Sequence, residues 1–229
     1  MRSFAGLALL VGLSACGSEV EERARPAEPT AAGLVSLSCD GSQGLRPLFA
    51  RYCSQGRNYM TPEARDALVD AASRLQARYP EAIVRFMDGS GPDGIVPFPP
   101  HLSHGDGRQV DLALYYTDTE GHPLADVPDT RNWGGYWPAE PPLPGERVAC
   151  PEGRSGRAEK PDPPADRPWR LDNGRTKALV EILIADDRVR RVFIEPHLEE
   201  RIGLWGHSKV RFAGCQAARH DDHIHVDFF

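Results

Sequence analysis

Residues His223 to Phe228 read H-I-H-V-D-F, a strict alternation of polar and apolar side chains. A period of two belongs to an extended strand with one face turned to a core. Ile224, Val226 and Phe228 fall on the apolar side, and His223, His225 and Asp227 on the other. The apolar side needs a core to cover it, so the segment is expected to anchor a sheet. The opposite side then carries two imidazoles about 6–7 Å apart along the backbone. That spacing allows one histidine to bind a metal while its neighbour reaches a reacting group; both need not be ligands.

A second segment complements the first. Residues His101 to Asp111 read H-L-S-H-G-D-G-R-Q-V-D, and with His220-Asp-Asp-His223-Ile-His225 they hold five of the eight histidines of the chain. Gly105 and Gly107 argue against a helix, so His104 is expected on a tight loop and Asp111 at the entry to a strand. A loop folded back onto a strand end can bring these two side chains to one ion. With His225 as a third ligand, a position is left for water, which is the open arrangement of a catalytic zinc.

The remaining elements mix helices and strands without regular alternation, which predicts an α+β fold with a small central antiparallel sheet flanked by helices. Thr61-Pro62-Glu63 opens a helix with a hydroxyl cap, Pro at the first helical position and an acid in the first turn. Leu68, Ala71, Ala72 and Leu75 repeat at helical spacing, and Pro80 ends the run. Ile83 to Met87 reads as a strand before a Gly/Pro-rich loop over 89–100, and Val110 to Thr117 as another. Asp172 caps a second helix with Ala178, Leu179, Ile182 and Leu183 as its apolar stripe. Val189 to Glu195 reads as a strand, and His197 to Trp205 as a short helix. Between them, residues 123–169 hold 11 of the 21 prolines, which predicts an irregular insertion. Its Trp133-Gly-Gly-Tyr-Trp137 is expected to pin the insertion to the body, with lining a substrate groove as the alternative.

The N-terminus has the form of a targeting segment: Arg2, then a short apolar run from Phe4 to Leu13, too short to span a bilayer. It ends in Leu13-Ser14-Ala15-Cys16, which resembles a bacterial lipobox. The resemblance implies a signal peptide over 1–15 and a lipid anchor to the membrane at Cys16. With Gly17 following, it implies a periplasmic protein tethered to the outer membrane. Residues 16–33 form a flexible tether of Glu, Arg, Ala and Pro, and a single domain is expected over 34–229. A net charge of −6 offers no nucleic-acid footprint. Export places Cys39, Cys53, Cys150 and Cys215 in an oxidising compartment. Of the three connectivities, Cys39–Cys53 with Cys150–Cys215 is favoured, because the first closes a short local loop.

The H-x6-D of His104 and Asp111, with the H-x-H of His223 and His225, resembles the lysostaphin/D-Ala-D-Ala metallopeptidase superfamily. Within it, His220-Asp-Asp-His223-Ile-His225 together with Ser103-His104-x-x-Gly107-Arg108-x-x-Asp111 is most similar to the penicillin-insensitive murein endopeptidases. The likeness is confined to these motifs and the strands that carry them. It implies Zn2+ held by His104, Asp111 and His225, with His223 as general base or stabiliser of the tetrahedral intermediate. His220 would be a second catalytic or orienting histidine. The carboxypeptidases of the superfamily carry a Glu three residues before the last histidine ligand, where this chain has the shorter Asp222. His223 is therefore favoured as the base, because imidazole titrates near neutral pH. His101 takes no role, and His122, His197 and His207 are read as surface or structural residues.

The implied reaction is hydrolysis of D-Ala–diaminopimelate crosslinks between peptidoglycan peptide stems. A D-Ala-D-Ala carboxypeptidase, a non-catalytic zinc-binding wall lipoprotein and a structural lipoprotein with a chance histidine cluster are the alternatives.

Overall fold

A computed structural model describes residues 28–126, 128, 139–153 and 166–229. The expected signal peptide over 1–15, Cys16 and Trp133 to Trp137 lie outside the described residues. The fold is mixed α+β, with four α-helices among the described residues. Its centre is a six-stranded sheet in the order β2 (Leu45–Pro47), β4 (Val84–Phe86), β5 (Gln109–Ala113), β10 (His223–Phe228), β8 (Val189–Phe193), β9 (Val210–Arg211). The four central strands run antiparallel. Each edge departs from the all-antiparallel expectation: β2 is parallel to β4 and β9 is parallel to β8. These edge strands are only two or three residues long, too short to show a periodicity in the sequence. Val35–Ser36 (β1) and Tyr59–Met60 (β3) form a separate two-stranded ladder.

Helix α2 (Pro62–Arg78) begins where the sequence places it, with the Thr61 side chain accepting from the Ala64 N–H. Helix α3 (Asn173–Ile184) is capped in the same way by Asp172, which accepts from the Arg175 N–H at 2.9 Å. Their buried stripes join Ile224, Val226 and Phe228 of β10 in one core. Leu68, Leu75, Leu179 and Leu183 are fully buried there, each contributing about 1.5–3 kcal/mol by leaving water. The short α1 (Ala50–Ser54) was not evident from the sequence, and α4 is shorter than expected, spanning Pro196–Arg201.

The expected strand over 110–117 is broken in two. After β5 the backbone of Tyr115 turns to α3, its N–H donating to Thr176 Oγ1 at 3.3 Å and its carbonyl accepting from the Asp172 N–H at 2.8 Å. The chain resumes as β6 (Tyr116–Asp118), which pairs with β7 (Trp169–Leu171). This two-stranded ladder brackets the Pro-rich insertion at its neck. Disulfides join Cys39 to Cys53 and Cys150 to Cys215, the favoured pairing. The second ties the insertion to the stretch leading into β10. No helix among the described residues is long and apolar enough to cross a membrane.

Candidate metal centre

Register decides which side chains meet. β10 pairs with β5 so that His225 lies opposite Asp111 and His223 opposite Ala113. Asp111, His223, His225 and Asp227 therefore share the sheet face opposite the core. This face is not open to solvent, since all six residues of β10 are buried.

His104 reaches the same place from the loop before β5. The loop is held down by Ser90, whose hydroxyl accepts from the N–H groups of Gly105 at 3.2 Å and Gly107 at 2.9 Å. Gly107 has φ +80°, and a Cβ there would lie 2.5 Å from Leu34 Cδ2 and 2.7 Å from the Thr61 nitrogen. Only glycine fits so close an approach of two backbones. The Gly107 carbonyl in turn accepts from the Thr61 N–H at 2.8 Å, so the cap of α2 and the His104 loop are fastened together.

Four imidazoles converge on Asp111. His225 Nδ1 lies 2.8 Å from its Oδ1, His104 Nε2 3.4 Å and His223 Nε2 3.7 Å. His101 Nδ1 lies 3.8 Å from Oδ2. In each ring the other nitrogen meets an oxygen. His101 Nε2 donates to Asp88 Oδ2 at 2.8 Å, and His104 Nδ1 to the Gly89 carbonyl at 2.9 Å. His223 Nδ1 donates to Asp222 Oδ1 at 2.6 Å, and His225 Nε2 to Asp227 Oδ1 at 3.0 Å. An imidazole that donates from one nitrogen presents a lone pair at the other. Several lone pairs and a carboxylate facing one another repel unless positive charge lies among them.

This donor set suits a metal ion. His101, His104 and Asp111 each offer a ligand atom, all within 4.8 Å of one another, and this group could hold an ion. His225 Nδ1 is 3.2 Å from His104 Nε2. Ligand atoms about 2.0–2.1 Å from one tetrahedral zinc would lie about 3.3 Å apart; among His104, Asp111 and His225 the separations are 2.8, 3.2 and 3.4 Å.

Electrostatics carry the same demand. Burial raises the Asp111 carboxyl, but the charges of His104 and His223 and the hydrogen bonds from the imidazoles outweigh it, holding Asp111 well below the usual carboxylate range. Burial opposes a charge on His225, yet hydrogen bonds to Asp111 and Asp227 prevail and raise it to about 9. The cluster is thus built to hold positive charge, as a proton or as a metal ion.

His220 sits at the edge of the cluster, its ring centroid 4.8 Å from His223 and 5.6 Å from His225. Glu195 fixes its backbone on both sides: Oε1 accepts from the His220 N–H at 3.0 Å, and the Glu195 N–H donates to the His220 carbonyl at 3.0 Å. On the far side, the Glu140 N–H of the insertion donates to the Asp221 carbonyl at 2.8 Å. The loop that carries His101 leaves Ile95, Val96 and Leu102 exposed to solvent.

The candidate ligands and catalytic histidines of the sequence, His104, Asp111, His220, His223 and His225, lie in one cluster. Sequence reasoning missed His101, which joins the cluster, and its anchor Asp88, itself paired with Arg57. For His101 the H-x2-H spacing to His104 was the available signal; Asp88 had none. His197 is structural, its Nε2 donating to the Glu140 carbonyl at 2.6 Å. His122 is exposed and lies with Asp118 and Glu120 in a second, surface group that could hold an ion. No protein-family model matches the chain, and no curated protein matches it either.

Proposed function

We propose that this chain is a zinc-dependent peptidoglycan hydrolase, a murein DD-endopeptidase that cuts D-Ala–diaminopimelate crosslinks. The observation that carries the metal is the convergence of His101, His104, His223 and His225 on Asp111, each ring oriented by an oxygen at its far nitrogen. The substrate class rests on the resemblance of the two histidine motifs to murein endopeptidases. The lipobox-like Leu13-Ser-Ala-Cys16 supports a lipid-anchored periplasmic location, where the polymer is met directly.

His104, Asp111 and His225 are the proposed ligands, with His101 as a neighbour able to join them. A bound zinc ion would polarise the scissile carbonyl and make water more acidic near neutral pH. His223 is the proposed general base. Asp222 accepts from its Nδ1, which leaves Nε2 on the side of Asp111, where an attacking water would give up its proton. This geometry favours His223 over Asp222 as the base, because the Asp222 carboxylate is engaged behind the ring. His220, backed by Glu195, is placed to stabilise charge that develops on the carbonyl oxygen.

The test is digestion of purified sacculi by the full chain, with mass analysis of the released muropeptides and a chelator control. Chelator-sensitive conversion of crosslinked dimers to monomers is expected. Loss of a terminal D-Ala alone would move the chain to the carboxypeptidases. No change with zinc demonstrably bound would leave a wall-binding protein and overturn the hydrolase reading.

A further inference from the structure

His225 does not stand alone on its strand. The two-residue period that puts it on the site face puts Asp227 there too, and β8 sets Arg191 directly opposite Asp227 and Phe193 directly opposite His225. The two oxygens of Asp227 serve different donors: Oδ1 accepts from His225 Nε2 at 3.0 Å, and Oδ2 accepts from Arg191 Nε at 2.6 Å. The Arg191 guanidinium stacks over the Phe193 ring at 4.9 Å, and that ring lies 5.6 Å from the imidazole of His225. Guanidinium, carboxylate, imidazole and phenyl ring thus form one bracket across two strands. Asp227 is buried, whereas Arg191 reaches the surface.

We propose that Asp227, held by Arg191, is a positioning residue that presents His225 Nδ1 to the metal. The inference rests on the metal-site reading above. A carboxylate on Nε2–H fixes which nitrogen carries the proton, fixes the plane of the ring, and makes the opposite lone pair a stronger donor. Arg191 occupies the second oxygen, which keeps the carboxylate from rotating off the imidazole. The salt bridge at the surface therefore acts on the ion through two hydrogen bonds and without touching it. Removing such a partner from a metal-bound histidine costs about 10- to 100-fold in affinity.

The test uses the full chain with Co2+ or Zn2+ alone. Asp227→Asn keeps the shape of the side chain and removes its charge; Arg191→Met removes only the guanidinium, at a half-exposed position that leaves the core untouched. Asp227→Asn is expected to weaken Co2+ binding about 10- to 100-fold, and Arg191→Met to weaken it by a smaller factor. In the Zn2+-loaded protein, nitrogen NMR of His225 is expected to show a proton on Nε2 in the parent, with a shifted Nε2 resonance in Asp227→Asn. Asp227→Glu should restore part of the affinity. Parent-like Co2+ affinity in Asp227→Asn, with the His225 nitrogens unchanged, would overturn the positioning role and leave the metal site standing. A parent chain that binds neither ion would overturn both.

Discussion

Gly107→Ala is the sharpest test of how the site is assembled. The residue has φ +80°, a backbone conformation that an alanine adopts at a cost of about 1–2 kcal/mol. A Cβ there would also lie 2.5 Å from Leu34 Cδ2, 2.7 Å from the Thr61 nitrogen and 3.0 Å from the Met60 carbonyl carbon. Two of those three neighbours are backbone atoms, so a rotamer change cannot relieve the clash. Overpacking of this kind adds about 1–3 kcal/mol. Gly121 supplies the control: its φ is +92°, but a Cβ would have nothing within 4 Å. Gly121→Ala should therefore cost about 1–2 kcal/mol from backbone conformation alone, and Gly107→Ala about 2–5 kcal/mol. Urea unfolding followed by far-ultraviolet circular dichroism measures both. The loop must lift to admit the methyl group, and His104 lifts with it, so Co2+ affinity should fall in Gly107→Ala and stay at the parent value in Gly121→Ala. Equal destabilisation by the two substitutions, with equal metal affinity, would refute the reasoning.

Three further outcomes are expected. His223→Ala should lower kcat on crosslinked muropeptides about 10²- to 10⁴-fold, and Asp222→Asn by a smaller factor with KM unchanged; a near-parent rate in His223→Ala would remove it as the base. Burial raises the Glu199 carboxyl to about 7, with neighbouring Glu195 adding to it against Arg211. The folded state then binds a proton that the unfolded state has released, so stability should fall as pH rises from about 4.5 through 7, by up to about 3 kcal/mol. Unfolding curves across that range should be flatter for Glu199→Gln than for the parent, and parallel curves would contradict the assignment. Finally, the Cys150–Cys215 bridge spans 65 residues and Cys39–Cys53 spans 14. Chain entropy assigns them about 4 and about 3 kcal/mol. Serine pairs at each site, compared by denaturant midpoint, should rank in that order.

Much of the site was legible because it is written in local patterns. The alternation of β10 gave away both its faces, and the glycines around His104 announced a loop with unusual backbone geometry. The caps of α2 and α3 were equally plain, since a side-chain oxygen before a helical stripe has a local function. What stayed hidden depends on pairing across the sheet. The role of Asp88 follows from the loop that folds His101 back onto it, and that of Arg191 from its register opposite Asp227. No pattern within either segment encodes those partners. The break between β5 and β6 was hidden for a similar reason: Leu114-Tyr115-Tyr116 has the composition of a strand, and only the start of α3 diverts the Tyr115 backbone. The polar face of β10 gave no sign that it would be buried, because burial there comes from loops far away in sequence.

The pairing of β10 with β5 also has a kinetic side. His225 and Asp111 are 114 residues apart in sequence, so the two halves of the centre meet only after a large loop has closed. Closure entropy grows with the logarithm of loop length. The Cys150–Cys215 bridge lies inside that loop and bypasses 65 of its residues, leaving a path of about 50 and lowering the closure cost by roughly 0.7 kcal/mol. A bond that touches none of the histidines thus shortens the search by which they find one another. If it forms before the sheet closes, the same chain should complete its centre faster under oxidising conditions than under reducing ones.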